Sequence, residues 1–423
     1  MTPRTFSWQI VAIGAVAALA LAGCGGDSDG SKKTPAATTS AAAAAAATGD
    51  GTLKLGTLLP QTGTLASLGP PEIAAVALGV KDVNAAGGVL GKQISVVDTD
   101  SGDASTDIAS SSVDRLLSQK VDAIIGAVSS AVSFNVIDKI VNAGVVEFSP
   151  ANTSPDFTDY KDKGLYFRTA PSDVLQGRVL GDQILADGAQ TVGIIALQDP
   201  YGTGLTKNVT KSVTDGGGQV VATEIYDPKA STFSAEVGKL KAAKPDAIAL
   251  ISFEEATKIV PEMVKQKIDM SKVYFVDGNL NDYSKTIKKG TLTGAKGTLP
   301  GVVASKEFQA KLKAVDPKLE IYSYGAESYD AVVLISLAAE AAKSDAGTEI
   351  AKKLVEVSKG GTKCTTFADC VKLVKAGTDI DYDGVSGPVE FSDKGDPTEA
   401  TIGIYKYGAD NKYTFVEGKP GKL

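Results

Sequence analysis

Leu53-Lys54-Leu55-Gly56-Thr57-Leu58-Leu59-Pro60-Gln61-Thr62-Gly63 decides the fold, together with the apolar residues Ile73, Val76, Ala77, Val80 and Val83 that follow it and the pair Gly87-Gly88. A short apolar run, a polar loop and an amphipathic stretch stopped by glycine read as strand, turn and helix. The same unit recurs downstream. Strands are expected at 53–59, 93–98, 123–126, 145–149, 192–197, 220–226, 247–252 and 273–277, with helices between them and another over 331–342. Such alternation predicts parallel sheets covered by helices, an α/β fold. The strands outnumber what one domain of this type needs, which points to two lobes. Crossings between them are expected near Phe167 to Ser172, Thr298 to Pro300 and Gly387-Pro388. One lobe then takes 51–170 and 300–388, and the other 171–299 and 389–423, with a hinge between them.

Working toward the N-terminus, Arg4 precedes the apolar run Ile10 to Leu21, which ends in Leu21-Ala22-Gly23-Cys24. The run is short for a membrane span and has the layout of a secretory signal over 1–23. Leu-Ala-Gly-Cys resembles the bacterial lipobox, which implies cleavage before Cys24 and acylation of that cysteine as a membrane anchor outside the cytoplasm. The other reading is a plain secreted protein with a coincidental cysteine. Residues 24–50, with Ala41 to Ala47, hold nothing to bury and read as a flexible tether spanning roughly 30 Å. Cys364 and Cys370 are expected to pair as a local staple contributing about 2 to 2.5 kcal/mol.

Composition removes most chemistry. The 423 residues carry 43 Lys and Arg against 50 Asp and Glu and no histidine. An acidic balance gives no general attraction to nucleic acid. Without imidazole there is no Ser-His-Asp or Cys-His catalysis and no His-ligated zinc. Gly202-Thr203-Gly204 has Lys207 where a dinucleotide loop needs its third glycine, and Gly91-Lys92 lacks the rest of a phosphate loop. No enzyme, metal or cofactor is expected.

Binding chemistry gathers at strand ends. Gly126-Ala127-Val128-Ser129-Ser130 runs from a strand into a helix, where free N–H groups and the helix dipole suit a ligand carboxylate. Taken as residues alone, Ser129 and Ser130 fit plain N-caps better. Ala151, Asn152 and Thr153 follow the next strand, in the crevice where open α/β sheets hold ligands. Asp199-Pro200-Tyr201-Gly202 occupies the equivalent place in the second lobe, and Tyr201 offers a ring face and a polar tip, although an isolated tyrosine is more often a packing residue. Phe253-Glu254-Glu255 and Asp277-Gly278-Asn279 end two later strands. Their acids could meet an ammonium, or could only complement helix dipoles.

Taken in order, these stretches resemble the substrate-binding proteins of branched-chain amino-acid ABC importers. The matching segments are Lys54 to Gly63, Asp82 to Lys92, Ile125-Gly126, Pro150 to Pro155, Tyr201 to Gly204, Tyr329-Asp330-Ala331 and Gly387 to Phe391. The resemblance implies a type I periplasmic-binding fold of two Rossmann-like lobes, a monomer that closes on a solute and delivers it to permease subunits. It implies that Ser130, Ala151 and Thr153 hold the ligand from the first lobe and Tyr201 from the second. Phe253, which lacks a hydroxyl, aligns with the family's second aromatic, Leu68 stands where an aromatic often covers the side chain, and Asn279 aligns with the glutamate that grips the ammonium. With Asn279 there, either Asp277 or Glu254 substitutes, or the solute lacks an ammonium, as urea, short amides and aromatic acids do. A sensor for a membrane signalling partner would use the same lobes.

Overall fold

Residues 49–423 are described by the structure, a computed structural model. The expected signal, Cys24 and the tether up to residue 48 lie outside the described residues. In chain order the first sheet and its helices are β1 (Lys54–Leu59), α1 (Gly69–Ala85), β2 (Ser95–Asp100), α2 (Ile108–Ser118), β3 (Ala123–Gly126), α3 (Ser130–Asn142), β4 (Val146–Ser149) and β5 (Tyr166–Arg168). There follow α4 (Asp173–Ala186), β6 (Thr191–Leu197), α5 (Pro200–Asp215), β7 (Gln219–Tyr226), α6 (Ser234–Ala243), β8 (Ala247–Ile251), α7 (Ala256–Lys265), β9 (Val273–Phe275) and β10 (Lys296–Pro300). The remainder is α8 (Lys306–Val315), α9 (Gly325–Ala342), α10 (Gly347–Val357), β11 (Thr362–Cys364), α11 (Phe367–Lys375), β12 (Ile380–Gly384), β13 (Gly387–Pro388), β14 (Glu399–Tyr407) and β15 (Tyr413–Lys422).

The same α/β wiring is used twice. The first sheet has the order β2-β1-β3-β4-β5, all parallel. The second repeats that order as β7-β6-β8-β9-β10 and then adds β14 and β15 antiparallel on the β10 side. In both, the chain reverses its winding beside the first strand, which opens a crevice at the strands' carboxyl ends. Local chemistry supports this. Pro70 and Pro71 sit in the first turn of α1, where a missing N–H costs nothing. Past its end, Gly88 has φ +73°, and a Cβ there would lie 1.9 Å from the Lys92 carbonyl oxygen. At the tip of β3, Gly126 has φ +125°, and a Cβ would reach to 2.1 Å from the Leu58 oxygen. Only glycine fits either place.

Helix α9 is buried along most of its length and packs on α1 and α10, in the layer that covers the first sheet. It starts six residues earlier than expected, after Tyr324, whose φ is +57°. Strand β9 ends at Phe275 rather than at Asp277, because Asp277–Asn279 forms a 3-10 turn. The expected Cys364–Cys370 disulfide is present, with Cα atoms 5.4 Å apart, and joins β11 to α11.

The chain passes between the sheets after β5, after β10 and between β13 and β14. A fully buried arginine ties two of these passages together. Arg168 Nε donates to Asp396 Oδ1 at 2.6 Å, and its NH1 donates to the Ser154 and Asn152 carbonyls at 2.7 and 3.3 Å. Its guanidinium also lies 5.7 Å from the centre of the Phe157 ring. Thr158 adds a hydroxyl to Asp396 Oδ2 at 2.6 Å. The passages are therefore joined by a charge-assisted pair whose remaining donors and acceptors are also engaged.

Candidate functional site

Loops at the carboxyl ends of the two sheets face each other. Ser154 Oγ, after β4, donates to the Pro200 carbonyl at the start of α5 at 3.2 Å. A crevice of about 350 Å³ is lined by Thr64, Leu65, Asp103 and Ser129 from the first set of loops and by Asp199, Phe253 and Glu255 from the second. A smaller one of about 180 Å³ lies between Thr64 and Ser67 on one side and Phe253, Glu254 and Tyr283 on the other.

Between these loops sits a fully buried carboxylate. Asp277, at the tip of β9, accepts from Tyr201 and Tyr324 hydroxyls, each at 2.6 Å, and from Gln176 Nε2 at 2.9 Å. No Lys or Arg among the described residues pairs with it. Burial holds its carboxyl above the ordinary range, although the Tyr201, Tyr324 and Gln176 donors and the Gly278 N–H pull the other way. Asp173, the first residue of α4, faces it. Burial first and the Asp277 charge second push the Asp173 carboxyl well up, against the Thr153 hydroxyl and the more distant Arg168. Thr153 Oγ1 donates to Asp173 Oδ2 at 3.0 Å, while Asp173 Oδ1 is buried without a partner. Two desolvated acids thus share a site supplied only with neutral donors, an arrangement that favours a cationic group brought by a ligand.

The expected site residues divide into two sets. Thr153 and Tyr201 come together through the Asp173 and Asp277 carboxylates, and Phe253 stacks on Tyr201 with centroids 5.4 Å apart and planes 11° off parallel. Ser130 begins α3 and accepts from Ser154 N at 3.3 Å. Ser129 is the N-cap of α3, accepting from Val132 N, and also lines the larger crevice. Ala151 is buried beside Ser149, whose hydroxyl accepts from its N–H at 3.2 Å. Leu68 is buried in the main apolar core, just before α1.

Two amides have their groups engaged inside their own lobes. Asn152 donates to the Val128 carbonyl at 2.9 Å and accepts from the Tyr166 hydroxyl at 3.0 Å. Asn279 donates to the Leu250 carbonyl at 2.8 Å and Ser252 Oγ at 2.9 Å, and its Oδ1 accepts from Val276 N at 2.8 Å. Both therefore shape strand ends. Glu254 is exposed, so of the two acids that could stand in for a missing glutamate, Asp277 has the buried, donor-lined place. Sequence reasoning missed Asp173, Gln176 and Tyr324. The first two lie one turn apart at the start of the helix that follows the first passage, and the third precedes α9; only the passages bring them to Asp277.

A family model described as periplasmic binding protein matches residues 52–412. The Leu/Ile/Val-binding protein homolog 1 of Brucella abortus is 28% identical over 375 residues, covering 86% of this chain and 93% of that protein. Among solved structures, the branched-chain amino acid transporter substrate binding protein of Streptococcus pneumoniae, in complex with isoleucine, superposes with a TM-score of 0.71 at 24% identity, covering 88% of this chain and all of that one. A solute binding protein from R. palustris in complex with benzoate gives 0.68 at 20% identity, covering 88% and 98%. These relatives are binding proteins rather than enzymes. A match over nearly the whole described body, on two α/β lobes with strand-end loops facing each other, means that the chain belongs to the periplasmic binding protein family.

Proposed function

We propose that this chain is the lipid-anchored solute receptor of an ABC importer and that it binds an aliphatic amino acid between its lobes. The observation that carries the reading is Asp277, buried at a strand tip among three neutral donors and without a cation. An ammonium placed against Asp277 would supply the missing charge. The start of α3, with Ser130 and its free N–H groups, suits the ligand's carboxylate. Phe253 and Leu65, at the crevices beside this point, would meet an aliphatic side chain. The case for a solute without an ammonium drew on Asn279, whose amide is engaged by Leu250, Ser252 and Val276; Asp277, two residues earlier, restores the carboxylate.

In this reading the three passages between the sheets form the hinge, Cys24 carries the acyl anchor, 24–50 is the tether, and the partners are permease subunits engaged by a monomer. Curated relatives named for leucine, isoleucine and valine binding support the solute class. A thermal-shift screen tests it, since a ligand at 100 times its dissociation constant adds about 2.7 kcal/mol to the native state. Leucine, isoleucine or valine should raise the melting temperature, while urea, short amides and aromatic acids should not. Loss of amino-acid uptake on deleting the gene separates import from sensing; unchanged uptake would favour the sensor.

A further inference from the structure

A third crevice, of about 270 Å³, lies where β10, β14 and β15 of one lobe meet the segment leading into α9 from the other. Its walls are aromatic: Tyr322, Tyr324, Tyr405, Tyr413 and Phe415. Tyr405 meets Tyr413 and Phe415 edge-on, with centroids 5.4 and 5.6 Å away, so the rings present faces in more than one direction. Lining the same crevice is Glu327, 4% exposed. Among the described residues no cation, hydroxyl or side-chain amide bonds its carboxyl, and its own backbone N–H is the hydrogen-bonding influence that favours the ionised form. The charged groups around it are the acids Glu72 on α1 and Asp330 on α9, with the Tyr324 and Tyr405 hydroxyls nearby. Both Glu72 carboxyl oxygens are buried without partners. The one cation in the lining, Lys412, is paired with Asp282 at 2.8 Å.

Ring faces collected around an unpaired, desolvated carboxylate form the environment that favours an alkylated ammonium, attracted by the ring quadrupoles and by the acid together. We propose that this crevice is a second ligand site, separate from the one at Asp277, and that it takes a small organic cation of the alkylammonium or quaternary ammonium class. The cation's charge sits against Glu327, and its methyl groups pack on Tyr405, Tyr413 and Phe415. Tyr324 belongs to both places, because its hydroxyl donates to Asp277 and the residue also lines this crevice. Burial holds the empty Glu327 carboxyl up at about 8, so a cation would enter as the proton leaves.

The test is a calorimetric titration of the full chain with choline and with its uncharged isostere 3,3-dimethyl-1-butanol. Choline should bind and the alcohol should bind at least tenfold more weakly; equal binding, or no choline binding up to 20 mM on the order of a weak site, overturns the proposal. Glu327→Gln should weaken choline at least tenfold. Because that side chain is buried, Phe415→Ala serves as the second variant: Phe415 is 47% exposed on an edge strand, and its loss should weaken choline at least threefold with the fold intact. Unchanged affinity in Phe415→Ala contradicts the cage. Asp277→Asn should keep choline binding; if it abolishes it, choline occupies the first site and the second does not exist. Failure of the amino-acid reading would appear in the leucine titration and leave the choline result standing.

Discussion

Among the buried carboxylates of this fold, Asp396 and Asp277 have partners of different kinds. At the passages between the lobes, Asp396 faces Arg168 directly at 2.6 Å; in the cleft, Asp277 has two hydroxyls and an amide and no cation. The first arrangement is complete in the empty protein. The second satisfies hydrogen bonds and leaves a charge for something else to neutralise. Glu327 gives the limiting case, with no side-chain donor among the described residues, and its carboxyl is correspondingly pushed up to about 8 by burial. In our reading Asp396, with its cation, holds structure, and Asp277, with neutral donors only at the strand tip, is the acid proposed to meet the ligand's ammonium.

Four outcomes would sharpen or break that contrast. The largest is at Asp396. Replacing it by alanine strands a fully buried guanidinium, and denaturant unfolding should show a loss of about 3 to 5 kcal/mol; a loss under about 1 kcal/mol would remove the structural half of the contrast. Next comes Asp277→Asn. It should weaken an aliphatic amino acid by about 2 to 5 kcal/mol in calorimetry, while the empty protein's melting temperature stays within about 3 °C. A large drop in melting temperature instead would place Asp277 with Asp396.

Tyr201→Phe removes one of the donors that keep Asp277 ready to ionise. Its expected cost in affinity is about 1.5 to 3 kcal/mol, the range for a hydrogen bond to a charged group. It should also move the acid limb of binding. In the proposed complex the ligand's ammonium requires ionised Asp277, whose carboxyl lies above its usual 3.8 because of burial, so affinity should fall as pH drops through that raised value. With Tyr201 absent the limb should shift to higher pH, Tyr324, Gln176 and the Gly278 N–H remaining as donors and Asp173 as the facing acid. A limb that shifts to lower pH would show that the hydroxyl does not support the anion.

The last test concerns Glu327 and the pH dependence of stability. An acid whose pKa is raised on folding binds a proton in the native state that the unfolded chain has released. Its stabilising contribution is present below the unfolded value near 4.5 and is lost as pH rises toward about 8. Glu327→Gln should therefore flatten the fall of stability across that window by about 1.4 kcal/mol per pH unit. Parallel wild-type and variant curves would mean that Glu327 is not protonated in the native state.

The parts of this architecture visible in sequence are those whose local signals agree with their burial. The apolar run of β1, the helical spacing of α1 and the stop at Gly87-Gly88 each point the same way. Strand β15 has no such signal. It is largely exposed, carries Gly418, Pro420 and Gly421, and exists because β14 offers it an edge. The first turns of α9 precede the helix expected over 331–342, and their polar residues Glu327, Ser328 and Asp330 are all buried. At the cleft, the strand-end loops with Thr153, Tyr201 and Asp277 were legible because parallel sheets place ligands there. Asp173, Gln176 and Tyr324 were not, since nothing local marks a residue brought in by a chain passage. In the sequence reading Asn279 stands where the family glutamate would be, without its charge, and the turn at β9 points its amide at Leu250, Ser252 and Val276.

The central claim is that Asp277 awaits an ammonium. The most direct measurement is a calorimetric comparison of leucine with 4-methylpentanoate, which has the same carbon skeleton and carboxylate and lacks only the amino group. Measurable binding of leucine with none of 4-methylpentanoate is the predicted result. Equal binding of both, or binding of the acid alone, would show that no ammonium sits at Asp277 and would contradict the account.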